Sequence, residues 1–477
     1  MNKTTTFLLG TAAAMVVAGG AQAADPIFDV AEPREPVYRC DITGFIELPG
    51  TDICFKVGGY ARLVATAASK EWLAEGFYPG TRNIVPGGIN AAPGGGAFFG
   101  WGGNTTNMYG QGRLNFDART ATEFGTVRGF IEIQASDAGN RTGGAAALRH
   151  AFVQFGNWTF GKTWSTFNHL ASSAPATDPY VVVGDSFIRR NQIRYTQPFG
   201  NGFSLSVAIE DQAYNNPAPV NAFPTFNQAV NGIPVAPISA GIVDRRGLPD
   251  LVANLNVAGD WGSAQVSGAL HKNEARTAVG WPSIFSSTDS SLGWAAMFGL
   301  NLNVPTTEGS NFGFKATYLD GASQYMQDLY AGNLNTVWGN RNPIAVNDSI
   351  IDEVEQWSIL AWYQHFWTPA VSTSIGAGYA ETDFGGTSPL TGWFHPFLGV
   401  NMPAQQVDQL QVFANVAWTP VANTTFVLEG HWGRIDYNGY GGYQPLINAV
   451  EVGAFGAPLT SSKEDAFAVT FQATRSF

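Results

Sequence analysis

The last stretch of the chain, Asp465–Phe477, places the strongest constraint on the fold. It alternates between a polar series and an apolar series, the latter being Phe467, Val469, Phe471 and Ala473. This period of two is that of a β-strand with one apolar face. A strand ending on an aromatic residue is typical of an outer-membrane barrel, whose last strand must pair with the first and whose interfaces carry aromatic girdles. We therefore expect alternating strands throughout the chain.

The first residues predict export from the cytoplasm. Lys3 precedes an apolar run from Phe7 to Val17, and Ala21-Gln-Ala23 has the small-residue pattern of a cleavage site. We interpret residues 1–23 as a signal peptide, with the mature chain beginning at Ala24. No later segment reaches the roughly 18 apolar residues of a spanning helix, so any membrane crossing must be made by strands.

Composition favours a single barrel. Glycine accounts for 56 of 477 residues, aromatic residues for 13% and charged residues for 13%. No linker or change of composition divides the chain, and we predict one barrel domain over residues 55–477 after a proline-rich periplasmic extension over residues 24–54. The net charge of −12 disfavours binding to nucleic acid.

The chain has two cysteines, Cys40 and Cys54. In an oxidising periplasm we expect them to form a disulfide. Closing a loop of about 15 residues would contribute about 3 kcal/mol in the chain-entropy model. Two free, buried thiols are the alternative.

The alternation predicts sixteen strands with bounds good to about two to four residues. They are Phe55–Ala68, Met108–Thr120, Val127–Ala135, Ala145–Phe155, Trp158–Phe167, Arg189–Gln197, Phe203–Glu210, Leu248–Val257, Trp261–Lys272, Leu292–Val304, Phe312–Leu319, Glu353–Trp367, Val371–Ala380, Asp408–Trp418, Thr424–Ile435 and Asp465–Phe477.

The connections between these strands are alternately short and long. The short ones are rich in Gly, Pro and Asn, as tight turns require, and the long ones start near Ser69, Ser136, Asn168, Asp211, Asn273, Asp320, Glu381 and Asp436. Bacterial outer-membrane barrels have short periplasmic turns and long extracellular loops. The fold predicted is an all-β, antiparallel, transmembrane barrel of sixteen strands. No self-similar repeat of about 20–50 residues indicates a propeller.

The polar face of the predicted strands would line the lumen. Its charged residues are Arg113, Arg119, Arg128, Glu132, Arg190, Arg194 and Lys315, and further candidates on less regular strands are Arg62 and Arg149. Rings of charge set ion selectivity in pores, which gives the arginines a function. Alternatively, they pair with carboxylates and only keep the wall hydrated. Tryptophans near strand ends would form the interfacial girdles; they are Trp158, Trp261, Trp294, Trp362, Trp367, Trp418 and Trp432.

Two segments resemble a known family. The chain is similar to the alphaproteobacterial porin family over Cys40–Arg62, which contains Leu48-Pro-Gly-Thr-Asp-Ile-Cys-Phe-Lys-Val-Gly-Gly-Tyr-Ala-Arg62. The similarity extends to Arg149-His-Ala-Phe-Val-Gln-Phe-Gly156 and to the terminal Phe477. The resemblance implies a sixteen-stranded, trimeric, general diffusion channel in the bacterial outer membrane. Lys56 stands where arginine is more usual in that family.

The resemblance also gives a role to the third long connection, Asn168–Phe187, which contains Asp178 and Asp185. The third loop of such porins folds into the channel, so these two carboxylates would face the arginines across a constriction. Opposed charges there would produce a transverse field acting on passing solutes. An ordinary solvated surface loop is the alternative.

Catalytic motifs are absent from the sequence. The six histidines show no His-x-x-x-His spacing, and no Gly-x-Ser-x-Gly or Gly-x-x-x-x-Gly-Lys-Ser/Thr motif occurs. We predict no enzyme activity, no cofactor and no metal site. The predicted function is passive diffusion of small hydrophilic solutes and ions, by a homotrimer among outer-membrane lipids. Two alternatives stay open: a structural or adhesion barrel plugged by its loops, and a substrate-specific sugar or anion channel.

Overall fold

The structure is a computed structural model. It describes residues 40, 42–68, 105–136, 145–178, 182–212, 229–230, 233–234, 240–244, 248–279, 285–326, 336–338, 351–383, 406–438 and 463–477. The predicted signal peptide, residues 1–23, and residues 24–39 of the predicted extension lie outside the described residues. Among the described residues, no helix has the length and apolar character needed to cross a bilayer.

Sixteen antiparallel strands form a closed barrel, as predicted. Each strand pairs with its neighbours in sequence, and the last pairs with the first. The strands are β1 Cys54–Ala68, β2 Thr105–Thr122, β3 Gly125–Ser136, β4 Ala145–Phe155, β5 Trp158–Trp164, β6 Arg189–Gly200, β7 Phe203–Glu210, β8 Asp250–Gly259, β9 Gly262–Val279, β10 Phe285–Asn303, β11 Asn311–Asp320, β12 Glu355–Thr368, β13 Val371–Asp383, β14 Gln406–Val421, β15 Thr424–Asn438 and β16 Lys463–Ser476.

Strands β1 and β16 close the ring. Their ladder runs from Tyr60 opposite Ser476 to Ala68 opposite Ala468. Beyond the ladder, Gly59 and Phe477 exchange both backbone hydrogen bonds, at 3.1 and 3.0 Å. Because the two edge strands of the sheet pair with each other, their backbone groups are hydrogen-bonded without water, as a bilayer requires.

The two faces of the wall differ as the sequence predicts. On β16, Phe467 and Val469 are exposed on the outer face, whereas Thr470 and Gln472 are buried on the inner face. The same alternation of exposed apolar and inward polar residues continues on the neighbouring strand β15. The barrel therefore presents an apolar outer surface and a polar lumen.

Three predicted boundaries are wrong, at the end of β5, the end of β9 and the start of β10. Strand β5 ends at Trp164 rather than at Phe167, because the chain leaves the wall at that point. Strands β9 and β10 are longer than predicted and pair as far as Val279 opposite Phe285, so most of the long connection expected after Asn273 is strand. Its sequence is polar on both faces, and the period-two signal is lost where neither face is apolar.

The disulfide between Cys40 and Cys54 is present, as predicted. It closes a short hairpin in which Ile46 pairs with Phe55 and Glu47 with Cys54, at the start of β1. The Phe45 ring of this hairpin lies 4.9 Å from the guanidinium of Arg119. We call the segment from Cys40 to Cys54 the disulfide hairpin.

The first prediction concerns this crosslink. Replacing both cysteines, Cys40→Ser with Cys54→Ser, should lower the free energy of unfolding by about 3 kcal/mol, because the unfolded chain regains the entropy of a short closed loop. Denaturant unfolding of the refolded barrel measures the change. The wild-type protein unfolded under reducing conditions is the control and should match the double variant. Equal stability of oxidised and reduced wild-type protein would contradict the prediction.

Candidate functional site

The segment between β5 and β6 runs inside the barrel over its described residues, 165–178 and 182–188, and we call these residues the inward loop. It begins beside β7, where Ser165 Oγ and the Thr166 amide donate hydrogen bonds to Glu210 at 2.7 and 2.6 Å. Asn254 of β8 donates to the Thr166 carbonyl at 2.6 Å. Gln265 of β9 donates to the Asn168 carbonyl at 3.1 Å. Side chains of the wall thus bind the loop backbone directly.

The inward loop also reaches the opposite wall. Trp362 Nε1 on β12 donates to the Ser172 carbonyl at 2.9 Å. On β14, Asn415 donates to the Pro175 carbonyl and Gln411 accepts from the Val183 amide, both at 2.8 Å. The loop therefore bridges the lumen from β7–β9 to β12–β14.

Glu429 on β15 holds the part of the loop next to Asp178. Its carboxylate accepts hydrogen bonds from the Thr177 amide at 3.0 Å and from the Thr177 hydroxyl. Asn415 and His431 donate to the same carboxylate at 2.9 and 2.7 Å. Asp178 itself is half-buried.

Asp185 and Lys315 were both expected at the constriction. The structure instead buries both side chains completely and pairs them with each other, between the loop and β11. The Asp185 carboxylate also accepts from Ser173 Oγ and the Ala174 amide at 3.1 Å, and from the Ser186 amide at 2.7 Å. These two residues are anchors of the loop, and their charges compensate each other.

Close backbone contact supports the docking at Gly378 of β13. A Cβ atom at Gly378 would stand 2.0 Å from the Val183 carbonyl oxygen. Gly299 of β10 plays the same part against His169, whose Nδ1 would be 2.6 Å from an added Cβ. Glycine lets the loop approach the wall at both positions.

His169 is a neutral member of the inward loop. Burial lowers its pKa to about 3, and the charge of Lys315 acts in the same direction. Its ring nitrogens lie 2.9 Å from Ser172 Oγ and 3.1 Å from Ser263 Oγ on β9. Because the ring stays neutral well below neutral pH, these contacts do not change with pH in the ordinary range.

The predicted arginines line the wall on β1–β4 and β6. Asp117 on β2 joins two of them, since its Oδ2 lies 2.8 Å from Arg119 and 2.8 Å from Arg128. Glu132 on β3 joins two more, at 3.0 Å from Arg149 and 3.5 Å from Arg113. The wall thus places four guanidinium groups around two carboxylates.

A bulge explains the irregular position of Arg149. The register of β3 and β4 shifts between Glu132 and Ile133, where Glu132 lies opposite His150 and Ile133 opposite Leu148. Arg149 and His150 can then both meet inward side chains: Arg149 contacts Glu132, and His150 lies 3.2 Å from Thr163 Oγ1. Strict alternation on β4 would have turned one of them outward.

The ring of Tyr60 on β1 lies beside two arginines, Arg62 of the same strand and Arg113 of β2. The guanidinium groups of Arg62 and Arg113 lie 4.4 and 4.7 Å from the centre of its ring. Arg62 also donates to Thr474 of β16 at 3.1 Å. This stack sits across the closing seam of the barrel.

On β6, Arg190 and Arg194 face inward four positions apart, with Gln192 between them on the same face. Arg190 is buried and donates to the Gln212 carbonyl at 3.3 Å. Arg194 is half-buried and makes no hydrogen bond or ion pair with the described residues. The wall therefore carries paired arginines on β2–β4 and an unpaired guanidinium on β6.

Sequence reasoning missed several residues of the site. Trp362 was assigned to an interfacial girdle, which is wrong, because it is buried in the lumen against the inward loop. Its position has the same parity as Gln356, Ser358 and Gln364, so the alternation of β12 could have revealed it. Five of the other predicted girdle tryptophans are exposed; they are Trp158, Trp261, Trp294, Trp367 and Trp418.

A second segment folds inward after β11. Residues 321–326 are covered, and Tyr325 is fully buried. Its hydroxyl donates to Asp250 of β8 at 2.6 Å, and its ring centre lies 4.8 Å from that of Phe167 in the inward loop. This segment supports the inward loop at its starting side.

Comparison with known proteins identifies the family. The model of a family described as the porin subfamily matches residues 26–454. The chain belongs to this porin subfamily. This membership, together with the barrel fold, places the porin in the bacterial outer membrane.

Curated relatives agree with this family. Porin Omp2b of Brucella melitensis biotype 1 is 30% identical over 271 residues, and Porin Omp2b of Brucella suis biovar 1 is 29% identical over the same length. Each alignment covers 54% of this chain and 62% of the relative, which is less than two thirds of the relative's length.

A solved structure shares the fold. The outer membrane channel DcaP of Acinetobacter baumannii superposes with a TM-score of 0.56 at 18% identity, covering 89% of this chain and 97% of that one.

Among the described residues, no group of three or more His, Cys, Asp or Glu side chains could hold a metal ion.

The second prediction tests the anchor. Lys315→Met leaves the Asp185 carboxylate buried without its cation, and should cost about 3–5 kcal/mol in free energy of unfolding. The double variant Lys315→Met with Asp185→Asn should recover most of that loss, because no charge is left buried and the amide oxygen still accepts hydrogen bonds from the loop. Denaturant unfolding of the three proteins measures it. If the double variant is as unstable as the single one, the lost charge pair is not the cause.

The third prediction tests the docking of the inward loop. Gly378→Ala should displace the loop from β13 and cost about 1–3 kcal/mol, because the new methyl overlaps a backbone oxygen. Limited proteolysis of the folded barrel should then cleave within residues 165–188. Gly430→Ala on β15 is the matched control, since an added Cβ there meets nothing within 4 Å. Equal protease resistance of both variants would contradict the docking.

Proposed function

We propose that the protein is a passive channel for small hydrophilic solutes and ions across the outer membrane. The observation that carries this proposal is the inward loop, held by side chains of both walls inside a closed barrel with a polar lumen. A loop fixed inside the barrel occupies part of the lumen and therefore narrows the pore. Long loops held on a rigid scaffold commonly carry function. The proposal requires no catalytic group.

We propose further that the narrowed passage runs along the arginines of β1–β4. Five arginines stand on these strands, and four of them form ion pairs with two carboxylates, Asp117 and Glu132. The five are Arg62, Arg113, Arg119, Arg128 and Arg149. Fixed charge of one sign on a low-dielectric wall concentrates ions of the opposite sign. Of the two loop acids predicted to oppose them, Asp178 keeps that role in our proposal, whereas Asp185 is neutralised by Lys315.

Membership in the porin family supports a homotrimer. We propose that three such barrels associate through their apolar outer faces. Each barrel then conducts independently, because the closed wall of each encloses its own lumen.

A plugged structural barrel is the second candidate. It is favoured by the second inward segment, whose buried Ala322 and Tyr325 add to the material inside the barrel on the β8–β11 side. The two candidates differ in conductance, which an open pore has and a plugged barrel lacks.

The fourth prediction is the electrical behaviour of the refolded protein in a planar bilayer. We expect insertion events in groups of three equal steps, and a reversal potential in a potassium chloride gradient that shows preference for chloride. Gly378→Ala, with its loop displaced, should raise the single-step conductance. Absence of conductance from a correctly folded barrel would favour the plugged barrel, and preference for potassium would contradict the assigned passage.

A further inference from the structure

A row of inward side chains crosses β4, β5 and β6 at one level. In the strand register, Gln154 lies opposite Thr159, and Thr159 lies opposite Arg194. The same level continues to Arg128 on β3, which lies opposite Gln154, and to Ala208 on β7, which lies opposite Arg194. The three residues Gln154, Thr159 and Arg194 are called the β4–β6 row.

Donors in this row have no acceptor among the residues that the structure describes. Arg194 makes no hydrogen bond or ion pair with the described residues, and its Nε is buried without a partner. The side-chain oxygen of Gln154 accepts a hydrogen bond from Arg128 Nη1 at 3.2 Å. The amide nitrogen of Gln154 takes no part in that bond. No hydrogen bond to the Thr159 hydroxyl is made within the described part of the chain. A guanidinium, an amide NH₂ and a hydroxyl thus stand side by side as available donors.

The surroundings keep these donors free. The cross-strand neighbours of Arg194 are short, Thr159 on one side and Ala208 on the other, and both are buried. The aliphatic part of an arginine side chain can cover such short neighbours. No long side chain stands directly opposite Arg194 to compete for the guanidinium.

Nearby acids are already engaged elsewhere. Glu210 on β7 interacts electrostatically with Arg194 but accepts hydrogen bonds from Ser165 and Thr166 of the inward loop. Arg190 acts on the same carboxylate. Asp117, the acid on the other side of the row, accepts from Arg119 and Arg128. Both acids therefore have at least as many cations as carboxylate charges around them, and the row keeps a positive excess.

We infer that the β4–β6 row is a binding station for small oxyanions of the phosphate or carboxylate class, placed in the lumen on the turn side of the inward loop's origin. A guanidinium fork matches the two oxygens of such an anion, and the neighbouring amide and hydroxyl donate to the remaining oxygens. Chloride has no oxygens to match the fork and serves as the reference ion. This inference rests on the proposed channel function for its transport consequence, but binding itself does not require conduction.

The station gives the pore a saturable response. An anion that pauses at Arg194 slows the passage of chloride, so added oxyanion should lower the chloride current toward a plateau. The experiment measures chloride current through the refolded protein in a planar bilayer while inorganic phosphate, succinate or acetate is added. The comparison of phosphate with the two carboxylates shows which oxyanion the station prefers.

Three variants separate the station from general charge. Arg194→Gln should raise the half-saturating phosphate concentration by about tenfold or more, since a charge-assisted hydrogen bond is lost. Arg194→Lys keeps the positive charge but loses the planar guanidinium fork. Its half-saturating phosphate concentration should lie between those of the wild type and Arg194→Gln. Arg475→Gln is the matched control, because it removes one positive charge from an exposed arginine whose hydrogen bonds go to Ala422 and Thr424 near a turn. It should leave phosphate saturation unchanged.

Each outcome decides between the proposals. If the wild-type protein conducts chloride and no oxyanion produces saturation, the station is overturned and the channel stands. If Arg194→Gln saturates like the wild type, or Arg475→Gln shifts saturation as much, the station is likewise overturned. If the folded protein does not conduct, the channel fails. In that case calorimetric titration of the detergent-solubilised barrel with phosphate decides the station, with loss of binding in Arg194→Gln supporting it.

Discussion

The structure depends on one requirement, that no backbone hydrogen-bonding group of the wall be left unpaired in hydrocarbon. A sheet meets this requirement only when its two edges pair, and here the edges are β1 and β16. The exchange of hydrogen bonds between Gly59 and Phe477 completes that seam. Once the ring is closed, the alternation of side chains has a fixed meaning: apolar residues meet the lipid and polar residues fill the interior.

A polar interior makes the inward loop possible. A loop buried in an apolar interior would leave its carbonyls and amides without partners. The polar wall of this barrel supplies those partners from Asn254, Gln265, Trp362, Gln411 and Asn415. A fully buried ion pair between Lys315 and Asp185 also joins the loop to the wall. Inward polar residues thus have two roles. Some bind the loop backbone, and others, chiefly the arginines, face the lumen.

The sequence was sufficient for the strands and their faces, because period-two alternation is a local property of one strand. Phe467 to Thr474 on β16 is the simplest case. Sequence was insufficient where geometry depends on a partner strand. The bulge at Glu132 that lets Arg149 and His150 both turn inward depends on the register of two strands. The girdle assigned to Trp362 was wrong because this tryptophan lies in the middle of β12, on the inward face that it shares with Gln356 and Ser358. Lys315 and Asp185 have the expected charges, but their pairing across 130 positions cannot be read from spacing.

The disulfide hairpin and the closing seam differ in how far along the chain their partners lie. Cys40 and Cys54 are 14 positions apart, and such a loop closes at small entropic cost, whereas β1 must wait for the last residues before it can pair with β16. The crosslink is therefore available while the nascent sheet still has an open edge. Cys54 is the first residue of β1, and Ile46 lies opposite Phe55. The disulfide hairpin therefore gives the beginning of β1 a covalently linked neighbour that does not depend on β16. The first strand of the barrel thus combines a covalent link to a near neighbour in sequence with a strand pairing that joins the two ends of the barrel.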